Sequence, residues 1–199
     1  MNKKGFTLVE LLIVIALLGV LATAVLAAIN PLEQANRSRD SRMKSDASQL
    51  LAAIDRYYVA IGHFPWYEAG VTDDEDAVNF TDARDTTIGI CDVAPGQNGC
   101  PNDPGLLITN NELKTEFTKR DFVRSTSAWN DLLYIGKSDG TAGVAASVYA
   151  CYVPKSKSEQ KKASRSISIA DSEITENVAD CATRTYADMA TSCVVCLPE

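Results

Sequence analysis

A long apolar run follows a short basic stretch at the start of the chain. It covers residues 6–29, and those 24 residues would span about 36 Å as a helix, against a bilayer core of ~30 Å. The run holds a single charged residue, Glu10. An acidic side chain near the start of a membrane helix can reach the interface and lies at the positive end of the helix dipole. The pattern therefore predicts a membrane-spanning helix over 6–29.

A second helix is predicted directly after the first. Pro31 lacks an N–H group and its ring clashes with the carbonyl four residues earlier, so the rod should kink or break there. Asn30 as N-cap, Pro31 at the first helical position and Glu33 form a helix-start signature, and Gly62 provides the stop. The apolar positions of this 30–62 stalk recur at steps of three and four and predict one buried face: Met43, Ala47, Leu50, Ile54, Tyr57 or Tyr58, and Ile61.

Segment 36–42 interrupts this pattern, because it is polar on all sides. It is expected to be solvated, or else to pair with acids of a neighbouring molecule or with lipid headgroups.

The remaining residues, 63–199, predict a globular head. Segments 131–137 and 144–153 favour two strands around a glycine-containing loop, and hence an antiparallel sheet of two or three strands on the apolar face of the stalk. A helix is predicted over 110–122, and Trp129 is expected to anchor the core. The fold class is therefore α+β: a long N-terminal helix, half membrane segment and half amphipathic stalk, packed on a small antiparallel sheet.

The charge balance argues against general nucleic-acid binding. The chain has 199 residues, with 19 Lys and Arg against 26 Asp and Glu, and a net charge of −7. Segment 155–165 is locally basic but lacks interleaved aromatic residues, so it is expected to be a solvated loop, with contact to DNA or a surface as the alternative. Enzyme motifs are absent from the sequence and its one histidine, His63, lies beside a predicted helix end. The chain is therefore predicted not to be an enzyme.

Six cysteines lie beyond the apolar run, and an even number on one side of a membrane indicates an oxidising exterior and disulfides. Cys91 and Cys100 bracket a turn-rich loop and are the best single pairing. The others are expected to pin the tail to the sheet, through Cys151 and Cys181 or one of the last two, Cys193 and Cys196. A zinc site built from these four is the alternative.

The N-terminal residues Lys3-Lys4-Gly5-Phe6-Thr7-Leu8-Val9-Glu10, followed by the apolar run, resemble type IV pilins and type II secretion pseudopilins. The resemblance implies that prepilin peptidase removes leader 1–5 by cutting between Gly5 and Phe6. It also implies that the new amine of Phe6 is methylated, and that Glu10 forms a salt bridge with the N-terminal amine of a neighbouring subunit. The stalk end, with Asp46, Leu50 and Gly62-His63-Phe64-Pro65, resembles secretion pseudopilins more loosely.

Some pseudopilins bind calcium in a loop after the long helix, and residues 71–85 are rich in acids. The calcium candidates are Asp73, Asp74, Asp76 and Asp82, although EF-hand spacing is absent. A solvated acidic loop is the alternative, and no other cofactor is expected.

The sequence thus predicts a structural filament subunit of a type IV pilus or a type II secretion-type system. Its partners would be other copies or other pilins through the N-terminal helices, prepilin peptidase, an inner-membrane assembly platform and the bilayer. The N-terminus would be cytoplasmic and the head outside, in a periplasmic or extracellular filament. One alternative is a minor pilin or competence pseudopilin that binds DNA, a surface or a secreted substrate. Another is a secreted domain whose signal peptide is cut near Ala22-Thr23-Ala24.

Overall fold

The computed structural model describes residues 5–28, 30–67, 78–84, 88–90, 105–123, 128–137, 147–168, 174–176, 178–189 and 192–198. Two long helices come first, α1 (Leu8–Ala28) and α2 (Pro31–Ile61). Asn30 caps α2 by accepting a 3.2 Å hydrogen bond from the Glu33 N–H through its side-chain oxygen. Gly62 ends the helix in the left-handed region, at φ 93°, where a side chain would be strained. The helix therefore begins after Asn30 and ends before Gly62, as the sequence predicted.

One face of α2 packs on the head, as its apolar period predicted. Met43, Ala47, Leu50 and Ile54 are buried, and Tyr57 rather than Tyr58 continues the face. The prediction was wrong for Ile61, which is 46% exposed, because it is the last helical residue and the chain has turned away at Gly62.

The head is built on two antiparallel sheets. The strands are β1 Val78–Asp82, β2 Leu133–Lys137, β3 Tyr149–Tyr152, β4 Arg165–Ile167, β5 Ile174–Glu176 and β6 Val195–Leu197. The larger sheet has the order β1–β2–β3–β6, and the smaller sheet pairs β4 with β5. The larger sheet has more strands than the two or three predicted, because the tail adds β6 opposite β3, with Cys151 facing Cys196.

Short helices complete the head. They are α3 (Leu106–Thr109), α4 (Lys157–Gln160) and 3₁₀ helices at Thr115–Lys119, Asp121–Val123, Trp129–Asp131, Cys181–Thr183 and Tyr186–Met189. The single helix predicted over 110–122 does not form. Asn111 has a φ of 60°, and the backbone is extended at Lys114 and Arg120, with ψ of 149° and 146°, and a right-handed helix can include neither conformation. Segment 155–165 is likewise not a loop, because it contains α4 and the start of β4.

The core lies between α2 and the larger sheet and confirms the predicted α+β class. Its largest fully buried side chains are Tyr134, Tyr152, Phe80, Phe122, Leu50, Ile54, Ile88, Ile90, Leu107, Leu132, Leu133 and Ile135. Burial raises the pKa of Tyr134 to about 12. Trp129 was predicted to belong to this core but is 62% exposed. Its 3₁₀ turn presents the backbone to the head instead, where the Trp129 carbonyl accepts a 3.0 Å hydrogen bond from the Tyr134 hydroxyl.

Candidate functional site

Helix α1 lies outside the core from Leu8 to Leu26. Every residue from 5 to 26 is exposed, with Phe6 at 86% and Leu26 at 70%. Leu8–Leu26 is the one helix among the described residues that is long and apolar enough to cross a membrane, and none of it is buried. Burying a leucine or valine side chain contributes ~1.5–3 kcal/mol, so this surface needs an apolar environment that the head does not supply.

The N-terminal end of α1 is closed by a reciprocal pair of hydrogen bonds between Thr7 and Glu10. The backbone N–H and the hydroxyl of Thr7 donate to Glu10 Oε2 at 2.8 and 2.7 Å. The Glu10 N–H donates to Thr7 Oγ1 at 3.2 Å. This is the capping-box arrangement, in which two otherwise unpaired helix N–H groups are satisfied by side chains.

Thr7 is the functional residue that sequence reasoning missed, although the signal was present. A Ser or Thr followed three residues later by Glu, just before an apolar run, is the sequence form of a capping box. The capping box fixes the position of the Glu10 carboxylate, which is held beside the backbone of Thr7, one residue from Phe6. A carboxylate has about four lone-pair sites, so it can accept a further donor there.

Gly5 and Phe6 precede the first helical residue and are exposed. Nothing lies within 4 Å of the position that a Cβ on Gly5 would take. The peptide bond between them is therefore open to an enzyme. The rod is interrupted further on, since α1 ends at Ala28 and α2 begins at Pro31.

The charged pair Arg39 and Asp40 attaches α2 to the head. Asp40 is 1% exposed, and its carboxylate accepts hydrogen bonds from the backbone N–H groups of Lys155, at 3.0 Å, and Ser156, at 2.7 Å. The expectation that 36–42 is solvated was wrong here. The chain leaving β3 carries backbone donors with no strand partner, and Asp40 satisfies them.

Arg39 reaches the same side of the head. Its guanidinium donates to the Val153 carbonyl at 2.9 Å, to Asp131 Oδ1 at 3.0 Å and to Tyr186 Oη at 2.8 Å. Burial raises the pKa of Tyr186 well above its ordinary value, although the charge of Arg39 opposes this, so the phenol keeps its proton and donates to Asp131 at 2.7 Å. Arg39 and Asp40 therefore join α2 to the head through a network of charged hydrogen bonds.

Two disulfides are present among the described residues, Cys151–Cys196 and Cys181–Cys193. The first joins β3 to β6 and so pins the tail to the sheet, with a Cα–Cα distance of 4.0 Å. The alternative of a zinc site from these four cysteines was wrong, because each sulfur is already bonded to another. Cys91 and Cys100 lie outside the described residues.

Three of the calcium candidates, Asp73, Asp74 and Asp76, also lie outside the described residues. The fourth, Asp82, is in β1, where its two oxygens accept hydrogen bonds from the Arg84 guanidinium at 3.0 and 3.1 Å. A cation at Asp82 would have to compete with that guanidinium. In the described part of the chain, no three His, Cys, Asp or Glu residues are grouped to hold a metal.

Comparison with protein families gives one match. The family model described as the prokaryotic N-terminal methylation motif matches residues 1–26. The chain carries the prepilin cleavage signature. No curated protein and no solved structure matches the chain.

The match covers the leader and most of α1. It supports a protein of the type IV pilin-like or pseudopilin class, in which the motif points to a structural subunit rather than an enzyme. The prepilin signature and the exposed apolar helix together indicate membrane anchoring. They also imply, in general terms, processing by prepilin peptidase and assembly with other pilins.

Proposed function

We propose that this chain is a filament subunit, a pilin or pseudopilin of a type IV pilus or type II secretion-type system. It is stored in the membrane through α1 and then assembled through the same helix. The observation that carries the proposal is that every residue of Leu8–Leu26 is exposed, on a chain whose head is folded around its own core. Lipid covers that surface before assembly, and the α1 helices of other subunits cover it afterwards.

Processing prepares the helix for assembly. Prepilin peptidase cuts between Gly5 and Phe6, which removes Lys3 and Lys4 and creates a new amine on Phe6, the amine that is then methylated. The exposed backbone at this bond, outside any helix or strand, fits the requirement of a peptidase for an open segment. The inner-membrane assembly platform is the further partner that the proposal requires.

Glu10 selects the position of the next subunit. Its carboxylate pairs with the Phe6 ammonium of a neighbour, because a charge of either sign left alone in an apolar bundle is costly. The Thr7–Glu10 capping box keeps the carboxylate partnered until that amine arrives. The salt bridge thus sets the register between adjacent helices.

The two described disulfides support a head that lies outside the cytoplasm, with the N-terminus inside. Disulfides persist in oxidising compartments, and Cys151–Cys196 and Cys181–Cys193 both lie in the head. The assembled filament is accordingly periplasmic or extracellular.

Two substitutions at Glu10 test the proposal. Glu10→Ala removes the charge and the cap, whereas Glu10→Gln keeps a side-chain oxygen for the Thr7 N–H, as capping boxes with glutamine do. Both variants should insert in the membrane and be cleaved, but both should lose most filament yield, measured on sheared or sedimented filaments. Normal filaments from Glu10→Gln would show that Glu10 acts as a cap and not as a charge.

The processing step is tested by mass spectrometry of the mature chain. The expected N-terminal residue is Phe6 carrying one methyl group. A mature chain beginning after Ala24, without α1, would overturn the filament proposal and favour a secreted domain.

A further inference from the structure

Helix α4 is attached to the start of the stalk. The Lys157 N–H donates to both carboxylate oxygens of Glu33, at 3.1 and 3.2 Å. Glu33 is five residues beyond Ala28, the last residue of α1. Five residues span about 8 Å as a helix and about 17 Å fully extended. Lys157 therefore lies close to the end of the membrane helix, whatever angle the chain takes at Pro31.

The backbone around α4 is fixed by carboxylates of α2. Asp40 holds the N–H groups of Lys155 and Ser156, as described above, and Glu33 holds that of Lys157. The hydrogen bond from the Lys157 N–H is the main reason that the pKa of Glu33 lies below its ordinary value, and the Arg37 guanidinium adds to it. Glu33 therefore stays ionised at neutral pH, and α4 stays in place.

Two lysines of this segment are available to contact an anion outside the chain. The side chains of Lys157 and Lys161 are exposed, and neither ammonium has an ion-pair partner among the described residues. The nearby acid Glu159 is already engaged, by Lys44 at 3.1 Å and Lys162 at 2.9 Å. Arg37, 59% exposed and paired with Glu33, adds a further cation beside them.

We propose that this α4 surface, Lys157 and Lys161 with Arg37, binds the anionic phospholipid headgroups of the leaflet from which α1 emerges. The inference rests on the membrane insertion in the proposed function. The headgroup layer extends about 5–8 Å beyond the hydrocarbon core, which places it within reach of a lysine side chain on α4. Anionic lipids attract cations close to the surface, and the attraction decays over a Debye length of about 8 Å at physiological salt.

The cations of the α4 surface are opposite in sign to the net charge of the chain. A protein with a net charge of −7 is repelled as a whole by an anionic bilayer. Cations presented at the membrane end of the head reverse that repulsion where the distance is shortest. The result is a head held against the bilayer in the unassembled subunit and released when the subunit leaves the membrane.

The test measures lysine reactivity in the full chain, placed in lipid nanodiscs of neutral phosphatidylcholine or with a third of phosphatidylglycerol. An amine-reactive acetylating reagent is followed residue by residue by mass spectrometry. Lys157 and Lys161 should react about fivefold more slowly in the anionic discs, the factor expected for ~1 kcal/mol per basic residue. High salt should remove the difference.

Lys114 is the control. It is exposed and follows Glu112, which pairs with Arg56 of α2 at 2.9 Å. Arg56 is 23 residues beyond Glu33, about 35 Å along a helix, so Lys114 lies far from the membrane. Its reactivity should be the same in both discs. Equal rates for Lys157 and Lys161 in the two discs, or equal slowing of Lys114, would overturn the proposal.

A charge-reversal variant tests whether Lys157 and Lys161 attract the lipid. Lys162, which is 61% exposed, is the reporter and should react more slowly in the anionic discs than in the neutral ones. Its ion pair with Glu159 is present in both discs, so the ratio of the two rates reports the lipid. The double variant Lys157→Glu with Lys161→Glu should abolish this difference, and Lys114→Glu should leave it unchanged. Lipid-independent reactivity together with salt-sensitive retention of duplex DNA, lost in the first variant, would overturn the lipid assignment in favour of nucleic acid. A chain that does not co-elute with discs would overturn the membrane anchoring as well, whereas co-elution without protection overturns this proposal alone.

Discussion

The two helices of the N-terminal rod differ in what covers their apolar residues. Both α1 and α2 are long helices, and both carry apolar residues that water disfavours. In α2 the apolar residues form one stripe, which the head of the same chain covers from Met43 to Tyr57. In α1 they surround the helix, and every side chain from 8 to 26 is exposed.

The difference separates what the chain can do alone from what requires other molecules. A helix with one apolar face needs a single partner surface, which one small sheet provides. A helix that is apolar all round needs surroundings on all sides, such as lipid or a bundle of other helices. Substitutions in α2 should therefore change the stability of the monomer, and substitutions in α1 should change its assembly.

The largest effect on stability is expected at Asp40. Asp40→Ala removes the acceptor of the Lys155 and Ser156 N–H groups and one of the two anions that contact Arg39, the other being Asp131. Leaving a buried N–H group unpaired costs ~1–3 kcal/mol, so the two groups together should cost about 2–6 kcal/mol, measured as the free energy of unfolding of the full chain in detergent with added denaturant. Asp55→Ala, at an exposed position of α2, should change it by less than about 0.5 kcal/mol. Equal losses in the two variants would contradict the role given to Asp40.

A pair of leucine substitutions tests the comparison directly. Leu50→Ala empties a fully buried position of α2 and should cost ~2–5 kcal/mol of unfolding free energy. Leu12→Ala, at a position of α1 that is 56% exposed, should leave unfolding of the head unchanged while lowering filament yield. A head destabilised by Leu12→Ala would mean that α1 packs on it.

The smallest effect on stability is expected at Gly62, with Gly19 as the control. Gly62 ends α2 at a φ of 93°, so Gly62→Ala should cost ~1 kcal/mol of stability through backbone strain. Gly19 lies inside α1, and nothing is within 4 Å of the position that a Cβ would take there, so Gly19→Ala should not destabilise the monomer. Thermal unfolding of the two variants should differ by a few degrees, and an unchanged melting temperature in Gly62→Ala would contradict the proposed capping role.

Much of this comparison could be predicted from the sequence, because it depends on local pattern. The apolar run, the Asn30 cap, the Gly62 stop and the buried stripe through Leu50 are set by neighbours along one helix. The prepilin signature is equally local. Thr7 could have been included, since its spacing from Glu10 is that of a capping box.

The wrong predictions concern residues whose contacts come from distant parts of the chain. Asp40 looked like a solvated charge because nothing near it in sequence shows that the chain after β3 supplies donors to it. Trp129 looked like a core residue because its size favours burial, yet its side chain is exposed and its carbonyl makes the contact with Tyr134. The fourth strand of the larger sheet depended in the same way on the tail meeting β3.

The length of α2 over which the head is attached has a mechanical consequence for a filament of the proposed kind. Contacts begin at Glu33, continue through Arg39 and Asp40 and reach Arg56. Tension along the fibre axis would pass through the helical backbone, and these lateral contacts would share any load on the head in parallel. Because they would have to shear together rather than peel apart one by one, the head should stay attached under pulling forces.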